Sequence, residues 1–542
     1  MNYDPHYNPF FSKRNPVYAR RGMVATSHPA AADIGLDILK QGGNAVDAAV
    51  AAAAALAVLE PTSNGLGSDC FAIIHDGSRL HGLNASGWSP AALSADVLLN
   101  AGRKEISPFG WDAVTVPGAM AGWHELTEKF GSLSPAELLQ PLVSRFSPGT
   151  DGEGGVAVPP TVAANWERAL NAYSKHLPDD PAFRHWFEHF APRGKAPSAG
   201  EAWSSRDQLK TLEILGKEGF RSLYDGSLAD ALLQFSGESG GYLQREDLMD
   251  YRPTWVDPIS MSYKGYDIWE IPPNGQGITA LMALGMLKDD RFSAHGVPSD
   301  MHRGIEAIKL AFSDTTRYVT DPGHMAHTAG NLLDPEYLAG RRSMIGESAG
   351  DPAPGTPPRG GTVYLSAADS SGMMVSFIQS NYMGFGSGLV VPGLGIALQN
   401  RGHNFTLEEG HPNRLEGRKR PFHTIIPGFL TREGRALGPF GVMGGFMQPQ
   451  GHLQVVQNLI DYGLNPQAAL DAPRWQWMQG RRVMLEPGFG QEGCNALKRL
   501  GHDAVLESDS GHFGRGQMIL REEGGGFIGA TEKRCDGFIA SW

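Results

Sequence analysis

Residues Ala45–Leu59 (AVDAAVAAAAALAVL) constrain this chain more than any other stretch. Alanine is the strongest helix former, and Asn44 ahead of the run is a good N-cap. A helix so thin and so apolar on nearly every side cannot lie on a surface. It has to be enclosed between layers, which predicts a multilayer protein. At about 15 residues, interrupted by Asp47, the run falls short of the roughly 20 needed to span a bilayer.

The surrounding signals build on that helix. Gly22–Ser27 reads as a short buried strand, His28-Pro29 opens a helix through Lys40, and Gly42-Gly43 stops it. Glu60-Pro61 ends the alanine helix. A glycine loop, Ser63–Asp69, leads into an apolar strand, Cys70–His75. Val114–Trp123 reads as strand, turn and helix start, and residues 125–250 read as helical with an aromatic cluster at His185–Phe190. Strands are expected around Met261 and Ile268, and helices over Ile278–Leu287 and Met301–Arg317. Further along, apolar strand character returns at Thr424–Leu430, followed by a helix over His452–Tyr462. The segment Phe146–Gly155 is Gly-rich and irregular, and nothing in its pattern explains it.

With 41 % hydrophobic and 19 % charged residues the chain is a folded globular protein. A net charge of −12 argues against nonspecific nucleic-acid binding. The three cysteines, Cys70, Cys494 and Cys535, are far apart and form no Cys-x-x-Cys pair, so a disulfide scaffold or zinc ribbon is excluded. That usage fits a reducing compartment, and the polar N-terminus has no apolar signal core. The expectation is a cytoplasmic protein without membrane or nucleic-acid partners.

Gly360-Gly361-Thr362-Val363-Tyr364 follows a Pro/Gly-rich run, Asp351–Arg359. It opens an apolar segment, Val363–Ala368, then a turn, Asp369–Gly372, and a second apolar segment, Met373–Ile378. By itself this is an ordinary hairpin after a linker. A Thr at the start of a strand after an exposed loop is also the setting for self-cleavage. A break between Gly361 and Thr362 would give one residue both a nucleophilic hydroxyl and a free amine base. Ser380 lies on the returning strand, where its hydroxyl would orient Thr362. Gly444-Gly445, between an apolar strand and a helix, suits an oxyanion hole.

Other chemistry is weakly signalled. Ser63–Asp69 lacks the spacing of a phosphate cradle. His124-Glu125 begins a zinc motif, but Glu128 stands where its second His belongs, so no metal is expected. Gly-x-Ser-x-Gly occurs at Ser239 and Ser348, without the strand before and helix after that a nucleophile elbow requires.

The order of these pieces resembles the γ-glutamyltransferase family of N-terminal nucleophile hydrolases, from about Gly22 to Ala540. The resemblance rests on Gly42-Gly-Asn-Ala-Val-Asp-Ala-Ala49, Glu60-Pro61, Val116-Pro-Gly118 and Pro272-Pro273. It rests also on Gly361-Thr362 with Asp369 and Gly372, Phe385-Gly-Ser-Gly388, Lys419-Arg-Pro421, Gly444-Gly445, Asp461-Tyr-Gly-Leu464 and Asp471-Ala-Pro-Arg474. It implies an α+β fold, a four-layer αββα sandwich. One precursor would give a large subunit, 1–361, and a small subunit, 362–542, which together form one αββα unit. A dimer of such heterodimers is compatible with it. No cofactor is implied. Thr362 would be the nucleophile with its own α-amine as base, Ser380 a second hydroxyl, and Gly444 and Gly445 the oxyanion donors.

The departures concern substrate. Family members that act on γ-glutamyl compounds hold the donor's α-carboxylate with an Arg where this chain has Ser86-Gly-Trp-Ser-Pro90. His423-Thr424 replaces their Ser-Ser pair, Asn404 their ammonium-binding acid, Arg401 a nearby amide and Tyr382 an Asn. The chain is in this respect similar to the cytosolic branch that includes oxamate amidohydrolase and cephalosporin acylases. A small amide bearing a carboxylate and no ammonium, such as oxamate, fits Arg401. Glutathione hydrolysis or acylase activity is the alternative. A precursor that never cleaves and serves as a binding protein, or a serine esterase, are rivals of a different class.

Overall fold

In a β-strand successive side chains point to opposite faces, and this alternation explains how the centre of the molecule is layered. The computed structural model describes residues 14–148, 154–177, 179–351 and 361–542. Gly361–Asp369 and Met374–Tyr382 form an antiparallel hairpin at the middle of a seven-stranded sheet. The strand order is Phe538–Ser541, Gly22–Thr26, Gly361–Asp369, Met374–Tyr382, Asp69–His75, Leu80–Ala85, Thr254–Val256. A second seven-stranded sheet runs Val17–Ala19, Phe527–Thr531, Arg515–Arg521, Arg435–Met443, Gly428–Arg432, Tyr266–Glu270, Ile259–Tyr263.

Val363, Leu365 and Ala367 face the helices on the outside of the first sheet. Tyr364 and Ala368 face the second sheet, with Met23, Phe71, Ile378, Phe429, Met443 and Ile519. The second sheet's other face packs on helices Gly277–Leu287, Pro298–Tyr318 and Met447–Ile460. Helix, sheet, sheet and helix thus make the expected four-layer αββα sandwich. By the same alternation Thr362 and Ser380 point into the gap between the sheets.

The alanine helix is the inner element of one helical layer, and all its residues from Ala45 to Leu59 are buried. Asn44 and Asp47 cap it reciprocally, and Asp47 also accepts from the Ser132 amide at 3.1 Å. The Asp369 carboxylate at the tip of the Gly361–Tyr382 hairpin accepts from the Ala45 amide at 2.7 Å. Helix and hairpin are therefore locked together at the end remote from Thr362. The Phe385 ring in the loop after Tyr382 is enclosed by Trp166, Trp186 and Phe190, so the aromatic cluster of the helical region holds that loop.

Several boundaries differ from expectation. The helix expected from His452 begins at Met447, because Pro449 falls in the first turn, where no amide is needed. Thr424–Pro427 has no ladder partner, and the strand begins at Gly428. Val114–Pro117 lies outside both sheets, and the helix there starts at Ala119. The helix expected at Met301–Arg317 runs Pro298–Tyr318. Most of the Pro/Gly-rich linker before Gly361, the first part of the N-terminal arm, and 149–153 of the irregular segment lie outside the described residues.

Candidate active site

Gly361 pairs with Tyr382, but the register shifts before Val363, so Thr362 sits at an irregularity in the ladder. Thr362 is 1 % exposed and Ser380 fully buried. The Thr362 hydroxyl donates to Ser380 Oγ at 3.2 Å. Ser380 Oγ also accepts from the Tyr382 amide at 2.8 Å. Gln448 Nε2, on the first turn of helix Met447–Ile460, lies 3.4 Å from Thr362 Oγ1. That amide is oriented by its own oxygen, which accepts from the Ile426 N–H at 3.0 Å.

Gly444 and Gly445 have φ of +136° and +59°, the left-handed region that disfavours side chains. A Cβ on Gly444 would stand 3.1 Å from the Gly514 Cα. Among the described residues neither glycine amide donates to a protein acceptor. Both precede the N-terminus of a 14-residue helix, whose dipole favours negative charge there. Gln276 Nε2 fixes the loop by donating to the carbonyls of Gly445 at 2.8 Å and Thr424 at 2.6 Å. Two hydroxyls, an amide donor and two available N–H groups therefore converge at the edge of the inter-sheet gap.

Behind them lies a buried cation. Arg401 is fully buried on a short 3₁₀ turn, Arg401–Asn404. Its Nη1 donates to Thr424 Oγ1 at 2.6 Å, and the guanidinium stacks over the Tyr382 ring at 4.5 Å. Tyr382 has φ of +79°, a strained conformation for an aromatic residue. The amide bond to Ser380 and the stack on Arg401 hold it there. Among the described residues Arg401 Nε and Nη2 and the Tyr382 hydroxyl have no hydrogen-bond partner. Burial brings the Arg401 pKa down to about 10, so it is still a cation at neutral pH.

The counter-charge is Asp69, which was read from the sequence only as the end of a glycine loop. It is fully buried. Its Oδ1 accepts from the Gly87 and Gly118 amides, each at 3.0 Å, and His423 Nε2 is 3.2 Å from Oδ2. Burial raises its pKa to about 7, against the pull of Arg401. His423 is buried against the Phe71 ring, and burial, with Arg401 next, holds its pKa well below the usual histidine range. A neutral His423 whose Nδ1 accepts from the Ile425 amide presents Nε2–H to Asp69. His423 therefore supports Asp69. Asn404 is half-buried and donates to the Phe422 carbonyl at 3.1 Å. At the position of the missing family Arg, Ser86 bonds Asn84, and Arg420 Nε donates to the Ser86 carbonyl at 3.1 Å. Arg420 also binds Thr254 and the Arg252 carbonyl, so its fork is occupied.

Asp69, Gln448 and Gln276 were missed in the sequence. A carboxylate opening an otherwise apolar strand was a usable signal for the first. The two glutamines carried none. A cavity of about 420 Å³ opens beside Gly444, lined by Phe109, Tyr173, Met383 and Met443 on its apolar side. Ser239 ends a helix and donates back to the Phe235 carbonyl, as expected of a chance motif. His302, Glu306 and His502 cluster within ligand distance of one another. The two imidazoles, however, bond each other at 2.8 Å and Glu306 pairs with Lys309 at 2.7 Å.

The γ-glutamyltranspeptidase family model matches residues 31–542. The chain is 34 % identical over 534 residues to a glutathione hydrolase-like YwrD proenzyme of Bacillus subtilis, covering 96 % of this chain and 98 % of that one. It is 33 % identical over 530 residues to an oxamate amidohydrolase proenzyme of Klebsiella pneumoniae, with the same two coverages. The crystal structure of a cephalosporin acylase from Bacillus halodurans superposes with a TM-score of 0.95 at 52 % identity, covering 100 % of this chain and 99 % of the other. The chain belongs to the γ-glutamyltranspeptidase family and is an amidohydrolase of the N-terminal nucleophile type. No helix among the described residues is long and apolar enough to cross a membrane.

Proposed function

We propose that this member of the γ-glutamyltranspeptidase family cleaves itself between Gly361 and Thr362 into subunits 1–361 and 362–542. It then hydrolyses a small amide whose acyl part carries a carboxylate, with oxamate as the simplest case. The observation that carries the substrate reading is the buried Arg401 guanidinium, whose Nε and Nη2 have no partner among the described residues. A fork of two N–H donors matches a carboxylate, and an unpaired buried cation is otherwise costly. Thr424, Tyr382 and Asn404 frame the site, and His423 steadies it through Asp69. The relative named for oxamate hydrolysis supports the reading.

Chemistry follows from the Thr362 surroundings. The free α-amine made by processing has a pKa near ~7.7–8.0 and is partly neutral at neutral pH. It takes the hydroxyl proton as Oγ1 attacks the amide carbon, while Gly444 and Gly445 N–H groups stabilise the oxyanion. The C–N bond breaks, the proton passes to the leaving amine, and an acyl ester remains on Thr362. Water, deprotonated by the same amine, opens the ester, releases the acid and restores the hydroxyl. Ser380 and Gln448 keep Oγ1 aimed. None of these steps calls on a metal or cofactor, and we place the enzyme in the cytoplasm.

A second reading, an acylase for larger amides, is favoured by the cavity beside Gly444. About 420 Å³ falls in the range that holds drug-sized molecules, roughly 300–1,000 Å³. A denaturing gel with N-terminal sequencing tests processing: two fragments, one starting at Thr362, are expected, and one intact band refutes it. Ammonia release from oxamate, set against glutamate release from glutathione, tests the substrate. Faster turnover of glutathione would overturn the Arg401 reading.

A further inference from the structure

We propose that the cavity beside Gly444 is a leaving-group subsite that binds an anion through Arg515, so that the preferred substrates are N-substituted amides with a carboxylate on the amine side. This deepens the reading above and rests on it, since Arg401 is assigned to the acyl side.

Strand pairing brings Arg515 to the site. Arg515 is the partner of Met443 in the ladder, and Met443 directly precedes Gly444. Paired Cα atoms lie about 4.5–5.5 Å apart, so Arg515 stands one residue from the proposed oxyanion donors. Gly514 packs on Gly444. Arg515 lines the 420 Å³ cavity together with Thr62, Ser63 and Asn400 and with the apolar Phe109, Tyr173 and Met383.

Arg515 is only 7 % exposed and Thr62 6 %. Among the described residues the Arg515 Nε and the Thr62 hydroxyl have no hydrogen-bond partner. The ion-pair partner of Arg515 is Glu60, at 3.6 Å from Nη1, longer than a good hydrogen bond. The Ser27 hydroxyl donates to the other oxygen of Glu60, and burial raises the Glu60 pKa to about 7. Its negative charge is therefore incomplete at neutral pH and compensates Arg515 only in part. The cavity's other arginine, Arg168, is bound to Asp509 at 2.9 Å and to Asn165 at 2.5 Å. A buried, under-bonded cation that shares with an unpaired hydroxyl the cavity lined by Gly444 is what an anionic group on a leaving amine requires.

Arg401 is fully buried and lines no part of this cavity, whereas Arg515 and Gly444 both line it and it opens to solvent. That assigns the amine, and not the acyl group, to Arg515. Hydrolysis stays balanced: an oxalyl amide and water give oxalate and the free amino acid.

The test compares kcat/KM of the processed protein on oxamate, on N-oxalylglycine, N-oxalyl-β-alanine and N-oxalyl-γ-aminobutyrate, and on their uncharged carboxamide counterparts. The acid should exceed its neutral counterpart by roughly 10- to 100-fold at the best chain length, mostly through KM. Arg515→Ala should abolish that ratio, and Arg515→Lys should restore part of it. Two-fragment processing reports that each variant is folded, and Thr62→Val gives a second, milder perturbation of the same ratio. Equal turnover of acid and neutral compound, or an equal loss on both in Arg515→Ala, overturns the proposal. If no oxalyl amide is cleaved, the Arg401 reading fails. The same charged and neutral pairs on glutaryl amides then decide Arg515 independently, and lack of preference there overturns it.

Discussion

Replacing Arg401 by Ala removes the feature on which the proposed acyl-side selectivity rests, and the structure sets the size of the expected loss. The guanidinium keeps two donors, Nε and Nη2, unpaired among the described residues. Two charge-assisted hydrogen bonds to a substrate carboxylate, at about 1.5–3 kcal/mol each, amount to about 3–6 kcal/mol. The lower figure already lowers kcat/KM by over 100-fold. The cost to folding is smaller. Thr424 Oγ1 loses a donor at 2.6 Å and Tyr382 loses its stack, about 2–4 kcal/mol together. Asp69, whose pKa burial already raises to about 7, escapes isolation by taking up a proton. Arg401→Met preserves more of the packing volume and separates charge from shape. Arg401→Lys keeps the charge and loses the fork, so its activity should fall between the two. The assay is ammonia release from oxamate by protein that has split into two fragments. A processed Arg401→Ala enzyme whose KM for oxamate stays within about twofold of the parent would refute the reasoning.

Thr362→Ala should give one unprocessed band and no hydrolysis, while Ser380→Ala, which removes the acceptor 3.2 Å from the nucleophile, should slow both processing and turnover by about 10–100-fold. For an anionic substrate KM should rise with pH through about 7, by at most tenfold per unit. Above that pH ionised Asp69 competes for Arg401, and below it the protonated carboxyl leaves the cation to the substrate. Asp69→Asn should flatten the profile, as measured by initial rates from pH 5.5 to 8.5. Gly441→Ala places a Cβ 2.4 Å from the Tyr364 ring across the inter-sheet gap. It should destabilise the fold by about 1–3 kcal/mol, seen as a lower Tm.

The local pattern of the chain was enough to determine much of this. The alanine run announced a helix enclosed on all sides, and Asn44 announced where it starts. The apolar segments Val363–Ala368 and Met373–Ile378 around a turn marked a hairpin, whereas the αββα architecture and the nucleophile role proposed for Thr362 came from the resemblance of the ordered motifs to the γ-glutamyltransferase family. The helix and the hairpin are properties of neighbours in sequence, where periodicity reports which side chains share a face. What periodicity cannot report is which faces meet. Asp69, Arg401 and His423 come from three distant segments and form one buried charge network only because the sandwich brings those segments to the same edge. His423, matched by its place in the sequence to a substrate position, reaches Asp69 for the same reason. Arg515 reaches the cavity because strand register sets it opposite Met443, and Gln448 reaches Thr362 because Pro449 can begin a helix turn. Side-chain identity decided the available chemistry, and register between distant strands decided where it converges.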